Sequence, residues 1–490
     1  MLLTQRWWTL VAVVAGVFML VVDITIVNVA LPEIGDDFDA SLSGLQWVVN
    51  AYALALAAGL VTGGSLADLW GRRRMYAVGV GLFTACSLLC GLATGPLFLA
   101  LARAGQGIGG AILWATSLAL LSEAFAGGDG ARRRERGMAF GVYGAVAGGS
   151  VAAGPLLGGL LTSGLNWRWI FFVNVPVGLA VVAVTLAKVA ESRGPAAVRP
   201  DWAGFAAFGG TLVLLVYGLT ESSGGWGRPS VVGCLVGAAV LCAAFVAVEA
   251  RRREPMLDLR LFRTPTFTGG LVAAFGLSAS IYSLFTFLVL YFQDELGFSP
   301  AETGVRFLAL TAAMFAASTV AGRLAGAGSA RWLIGGGFGL VGVGVLLMGG
   351  LVETEGGWTR LLPGMLVAGA GSGMVTVSLA ATAVGVVRPA QAGMASGINA
   401  TARQIGLATG IATLGSVFAA RTADGGFVDG FRVILWVGGG VALAAGAASV
   451  LLIRARDFVQ APPRQPGPAG ASAAETPGAA RATDSAGRGA

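Results

Sequence analysis

The 490-residue chain contains no histidine. That excludes histidine-held metal centres, histidine-based catalytic triads and a histidine proton relay. Charge is scarce as well. Charged residues make up 12% of the chain, against ~25% in an average soluble protein. There are four cysteines, Cys86, Cys90, Cys234 and Cys242, all inside apolar runs. They read as small buried hydrophobes, not as a disulfide framework or a zinc site. Walker motifs, a nucleophile elbow and a long polar domain are all missing, which argues against ATP-driven transport and against an enzyme. GxGxxG-like strings occur without strand–helix alternation and signify helix packing only.

What is present is apolar. Hydrophobic residues account for 56% of the chain, and mean hydropathy is +0.78. The 78 glycines suit helices packed closely in lipid. The net charge of +7 lies in short basic clusters between apolar runs. That distribution follows membrane topology and does not form a nucleic-acid surface. Arg6 precedes an apolar run, as in a signal peptide, but the run is too long and has no convincing cleavage site. It is expected to remain as the first span.

A spanning helix needs about 20 mostly apolar residues. Fourteen stretches qualify: roughly 8–31, 45–66, 75–95, 97–123, 137–161, 168–189, 202–220, 229–249, 267–292, 303–325, 331–351, 360–387, 394–420 and 431–453. The expected fold is an all-α polytopic membrane protein. The segment after Arg456 is rich in Pro, Ala, Gly and Ser and reads as a disordered tail. With the N-terminus in the cytoplasm, 21 basic residues fall on the cytoplasmic side and 6 on the outer side, leaving aside the tail and two arginines inside spans. A missed or extra span would invert the alternation downstream, so this bias supports both count and orientation. The outer loop PEIGDDFDA has four acids and no base. Trp7, Trp8, Trp167 and Trp169 suit interfacial anchoring. Of Glu123, Asp201, Glu221 and Glu249, near span ends, most read as solvated interfacial charges.

Charges deep in apolar spans are costly and are functional candidates by default. Asp23 in the first span and Arg103 in the fourth both lie about 10 Å below the outer boundary at 1.5 Å per residue. They are expected to approach each other or to communicate through a polar cavity. The pair reads either as a reversible proton or cargo site or as a permanent lock between two helices. Thr25, Asn28 and Gln106 are candidates for the same region. Arg403, in the thirteenth span, needs a partner or a wet cavity, and Asn399 and Gln404 add polar groups beside it. At the cytoplasmic end of the second span, GGSLADLWGRRR offers Asp68, Gly71 and Arg72 as a conformational latch, although Arg72–Arg74 also serve topology. The tenth span ends AGRLAGAGSARW, a degenerate second copy with Gly326 in place of the acid. In the fifth span, GGSVAAGPLLGG places Gly154, Pro155, Gly158 and Gly159 where a kink and a close helix approach are expected.

On these residues the sequence resembles the major facilitator superfamily, and within it the fourteen-helix drug:proton antiporter branch of the EmrB/QacA type. VDITIVNVALP at 22–32 resembles the first-helix signature, with Asp23 at its acid. GSLADLWGRRR resembles the loop 2–3 signature, and LARAGQGIGGA at 101–111 the helix 4 signature, with Arg103 at its proton-linked arginine. GPLLGG at 154–159 resembles the helix 5 antiporter signature. WRWIFFVNVP at 167–176 and RQIG at Arg403 are also similar to the branch.

The resemblance implies two six-helix bundles, 1–189 and 265–453, with two added helices in 190–264 and a cytoplasmic tail at 454–490. It implies proton-driven alternating access without a cofactor, by a functional monomer in the cytoplasmic membrane with both termini inside. Small lipophilic or monocationic drugs or antibiotics are the implied cargo, since helices 10 and 13 lack the acids that assist dications. The partners are then cargo, protons and bilayer, and not nucleic acid. The alternatives are export of one endogenous metabolite, a nutrient importer, which the helix 5 string opposes, and a sensor or enzyme on the same scaffold.

Overall fold

The computed structural model describes residues 5–125, 130–193, 201–222, 225–251, 259–324, 329–353, 357–387 and 392–458. Among them there are helices and no strands. In lipid every backbone amide and carbonyl must find a partner within the protein, and a helix provides one inside each span. The helices are α1 (Gln5–Phe38), α2 (Leu42–Trp70), α3 (Arg72–Gly91), α4 (Pro96–Ala124), α5 (Gly130–Gly164), α6 (Trp169–Lys188) and α7 (Trp202–Glu221). They continue with α8 (Pro229–Arg251), α9 (Pro265–Glu295), α10 (Pro300–Leu324), α11 (Ala330–Leu351), α12 (Leu362–Gly385), α13 (Ala392–Gly425) and α14 (Phe427–Leu452). Thirteen are straight enough and apolar enough to cross a membrane unaided, and the bent α5 makes the fourteenth.

The packing repeats. In the first half α2 lies on α4, α3 on α4 and α6, and α1 on α5. In the second half α10 lies on α12, α11 on α12 and α14, and α9 on α13. The halves meet through equivalent pairs, α5 with α10 and α2 with α13. Glycines set the closest crossings. A Cβ on Gly79 would sit 2.7 Å from the Leu113 backbone nitrogen of α4, and one on Gly371 would sit 2.7 Å from that of Val341 on α11. Helices α7 and α8 stand outside the repeat. Helix α7 bridges α2 and α13 along one side, with Ser222 Oγ donating to Ser416 Oγ at 3.0 Å.

One end of the seam between the halves is closed. At the Asp36 end, added Cβ atoms on Gly159 and Gly304 would overlap the Pro300 and Pro155 carbonyls, and the Ala301 amide donates to Ser163 Oγ at 3.0 Å. Thr286 Oγ1 donates to Asn28 Oδ1 at 2.9 Å, and Gln293 Nε2 to the Val29 carbonyl at 2.9 Å. Toward the other end the glycines are less crowded by described residues. Gly141, Gly144, Gly148 and Gly149 of α5, Gly64 of α2 and Gly397 of α13 meet nothing within 4 Å.

Several expectations need correction. Helix α1 does not stop at residue 31. Its 34 residues continue through Pro32 to Phe38, so most of the acidic outer loop is helical. Glu33 and Asp37 on that extension are held by the Trp167 amide and the Trp167 indole. Trp167 is therefore a core residue, 1% exposed, and not an interfacial anchor. Asp201 and Glu249 are buried rather than solvated, and Asp201 caps α7 by accepting from the Gly204 amide at 2.7 Å. Cys86 and Cys90 are buried as expected, whereas Cys242 is exposed. The Gly326 segment, the arginines at 132–134 and 136, and the tail beyond residue 458 lie outside the residues whose side chains are described.

Candidate functional site

Asp23 and Arg103 meet. Arg103 Nη1 donates to Asp23 Oδ2 at 2.5 Å, and the two residues are 1% and 0% exposed. A buried ion pair persists only if its remaining hydrogen-bonding capacity is also satisfied, and the neighbouring helices do that here. Gln106, one turn along α4, donates through Nε2 to Asp23 Oδ1 at 2.9 Å and accepts from Arg103 Nη1 at 2.8 Å. Asn174 of α6 donates to the same Asp23 oxygen at 3.1 Å and to Ser87 Oγ of α3 at 3.1 Å. Ser87 in turn donates to the Phe171 carbonyl at 2.9 Å. Arg103 Nε reaches the Val48 carbonyl of α2 at 3.3 Å, and the Tyr52 ring lies 4.1 Å from the guanidinium carbon. Five helices of the first half thus converge on one carboxylate.

Asp23 and Gln106 face the interior of the first half and not the seam between the halves. Sequence reading missed Asn174, Ser87 and Tyr52. Asn174 does lie inside the string WRWIFFVNVP, but no periodicity distinguishes it from a packing residue. Thr25 is not part of the site either. Its hydroxyl bonds back to the Val21 and Val22 carbonyls, and it packs against Gly154. Asn28 instead ties α1 to α9 through Thr286.

At the end opposite Asp36, Gly71 separates α2 from α3 with φ +104° and ψ 134°, a conformation that favours glycine. The turn aims Arg72 back at Asp68, which accepts at 3.1 and 3.0 Å, while Glu123 of α4 lies 3.6 Å away. Glu191, beyond α6, accepts from the Arg73 amide at 3.0 Å and faces Arg74 at 3.5 Å. The Arg72 amide donates to the Ser192 carbonyl at 2.8 Å. Asp68, Gly71 and Arg72 therefore pin the α2–α3 turn to α4 and to the segment after α6, all within the first half. Glu191 was not anticipated.

Helix α5 bends by 46° between Met138–Val151 and Ala153–Gly164. Pro155 explains the position, because its ring displaces the carbonyl of the residue four earlier, Val151. Gly154 and Gly158 lie on α1, where a Cβ on Gly158 would sit 2.8 Å from the Ile26 carbonyl oxygen, and Gly159 faces α10.

Arg403 is remote from the buried pair. It is half-buried on α13, with its guanidinium carbon 5.9 Å from the centre of the Tyr282 ring of α9. Asn399 and Gln404 are each 7% exposed, and Asn399 Nδ2 and Gln404 Oε1 have no partner among the described residues.

Up to fourteen helices able to cross a membrane, in two similarly packed halves, with an ion pair buried among the helices of one half, define a multi-pass membrane transporter, not an enzyme. Comparison with known proteins agrees. The Major Facilitator Superfamily profile matches residues 13–411, and the chain belongs to that family. The chain is 39% identical to the puromycin resistance protein pur8 of Streptomyces alboniger, over 92% of this chain and 90% of that one. It is 38% identical to the multidrug resistance protein Stp of Mycobacterium tuberculosis, over 84% and 76%. It is 35% identical to the tetracenomycin C resistance and export protein of Streptomyces glaucescens, over 86% and 77%. Among solved structures, a bacterial homologue of the lysosomal transporter Spinster superposes with a TM-score of 0.65 at 17% identity, covering 94% of this chain and 100% of that one. A D-xylose–proton symporter gives 0.64 at 13% identity, covering 93% and 100%. These two describe the shared fold.

Proposed function

We propose that this chain is a proton-coupled antiporter that exports small lipophilic or monocationic compounds, drugs or antibiotics among them, across the cytoplasmic membrane. The reading rests on one observation above all: a carboxylate, Asp23, buried at membrane depth and held only by side chains that a proton would release. With Asp23 charged, the Arg103–Gln106–Asn174 network is complete. Protonation removes the charge that orders the network, and the five helices meeting there can then shift against the other half. Such a change alters which end of the cleft is open. The names of the relatives, which are resistance and export proteins, support outward movement of cargo.

In this reading residues 1–189 and 265–453 rock as two bundles, 190–264 fastens one side of the seam, and 454–490 is a cytoplasmic tail. The positive-inside bias makes the Gly71 end cytoplasmic, so the closed Asp36 end of the seam faces outward. The turn at Asp68, Gly71 and Arg72 acts as the latch. Gly154, Pro155, Gly158 and Gly159 form the outer hinge and seal. The unit is a monomer powered by the proton gradient alone. Export of a single endogenous metabolite is the second reading, favoured by the relative named for tetracenomycin C.

The deciding experiment uses inverted vesicles and Asp23→Asn. The substitution leaves the Arg103 charge buried alone and should lower stability; in the protein that folds, compared at equal amounts, cargo uptake driven by the proton gradient should be lost. Undiminished gradient-driven uptake would remove Asp23 from the mechanism.

A further inference from the structure

Two charged side chains in the transmembrane helices bear on what the cleft accepts, and they differ in availability. Asp23 is enclosed, with both oxygens engaged. Arg403 is half-buried and meets no carboxylate among the described residues. The two are also separated along the membrane. Arg103 binds the Val48 carbonyl, whereas Thr401 Oγ1 donates to the Ala57 carbonyl at 3.2 Å. Those carbonyls are nine residues apart along α2, about 14 Å at 1.5 Å per residue. Arg403 is thus displaced toward the Gly71 end.

The neighbours of Arg403 on α13 show where it points. Leu407 and Ile411, one and two turns on, pack against the first half. Gly406 and Gly410 lie against Phe275 and Ala279 of α9. Arg403 falls between these two directions, toward the space between the halves. Asn399 is one turn earlier on the same face, nine-tenths buried, and its Nδ2 has no acceptor among the described residues. Across from Arg403, Tyr282 contributes its ring, while its hydroxyl lies 3.3 Å from Thr376 Oγ1 and 3.9 Å from Met314 Sδ.

An arginine has five N–H donors and no acceptor. Placed beside an unused amide donor and an aromatic face, with Asp23 engaged by Arg103, Gln106 and Asn174, it forms a site short of negative oxygen. We infer that Arg403, with Asn399 and Tyr282, binds an anionic oxygen of the cargo, a carboxylate or phenolate carried on a lipophilic ring system. This deepens the efflux reading and rests on it. Of the lipophilic and monocationic compounds that the resemblance implies, the site fits the lipophilic ones in anionic form and repels the cations. An anionic lipid headgroup offers the same chemistry, and the test separates the two sources.

Purified, delipidated protein in non-ionic detergent is titrated with naphthylacetate, its neutral amide and naphthylethylammonium. The acid is expected to bind about tenfold more tightly than the amide, the gain of a charge-assisted hydrogen bond, and the ammonium most weakly. Arg403→Gln should erase the preference for the acid. Asn399→Asp should erase it as well, by placing a carboxylate four residues from Arg403 with almost no change in bulk. Arg403→Lys should keep part of it. Equal binding of acid and amide by the wild type, or an acid preference that survives Arg403→Gln in folded protein, would overturn the assignment. Loss of the acid preference on adding phosphatidylglycerol, but not phosphatidylcholine, would assign the side chain to a headgroup and overturn it too. Because binding is read in detergent, it is independent of transport. Proteoliposome flux of the same acid, driven by a proton gradient, tests the efflux reading separately.

Discussion

Asn174 and Asp23 are 151 residues apart in the chain and joined by a hydrogen bond of 3.1 Å. The same amide nitrogen also reaches Ser87, so α1, α3 and α6 share one side chain. Hydrogen bonds to charged groups are worth about 1.5–3 kcal/mol. Asn174→Leu should lower thermal stability in detergent by an amount in that range and reduce gradient-driven transport. A variant as stable and as active as wild type would make Asn174 a spectator.

The Asp23–Arg103 pair should behave as a unit. Removing one partner of a buried pair costs about 3–5 kcal/mol, because the other charge is left buried alone. Asp23→Asn and Arg103→Gln should each be strongly destabilised. The double variant Asp23→Asn with Arg103→Gln should unfold at a higher temperature than either while remaining inactive in transport. If the losses of the single variants simply add, the two side chains are not coupled.

Helix α5 separates two roles that its sequence mixes. Pro155→Ala restores the amide that Val151 lacks as a donor and should reduce the 46° bend. Proton leak should rise or exchange should slow, with the fold retained. Gly158→Val should fail differently. Its Cβ would meet the Ile26 backbone oxygen at 2.8 Å, and neither backbone can yield. Loss of folded protein is expected, read by size-exclusion chromatography.

Gly71 and Gly81 make a matched pair. At Gly71 a side chain would be strained by φ +104° and would lie 2.6 Å from Glu191 Oε1. Gly71→Ala should therefore cost about 1–3 kcal/mol. At Gly81 an added Cβ meets nothing within 4 Å, and Gly81→Ala should be neutral or gain about 0.4–1 kcal/mol. Thermal melts of the two proteins compare them directly.

Much of this molecule was legible as one-dimensional pattern. Lipid leaves a spanning segment few options, so long apolar runs reveal the helices and their number, and basic clusters suggest their orientation. The cost of charge in hydrocarbon marked Asp23, Arg103 and Arg403 before any contact was known. The kink in α5 follows from Pro155, and the turn at Gly71 from the glycine between Trp70 and the arginines.

Other features depend on which helix faces which, and an almost uniformly apolar chain carries little record of that. Asn174, Ser87 and Tyr52 are unremarkable residues until packing places them around one carboxylate. Trp167, which looks like an anchor, is buried because α1 runs on to Phe38 and covers it. Packing also separated the two arginines. Arg103 is enclosed against five helices, while Arg403 is half-buried beside Tyr282 and meets no carboxylate among the described residues. Sequence placed both in hydrocarbon. Tertiary structure decided which one is already paired, because pairing depends on distances across helices and not along them.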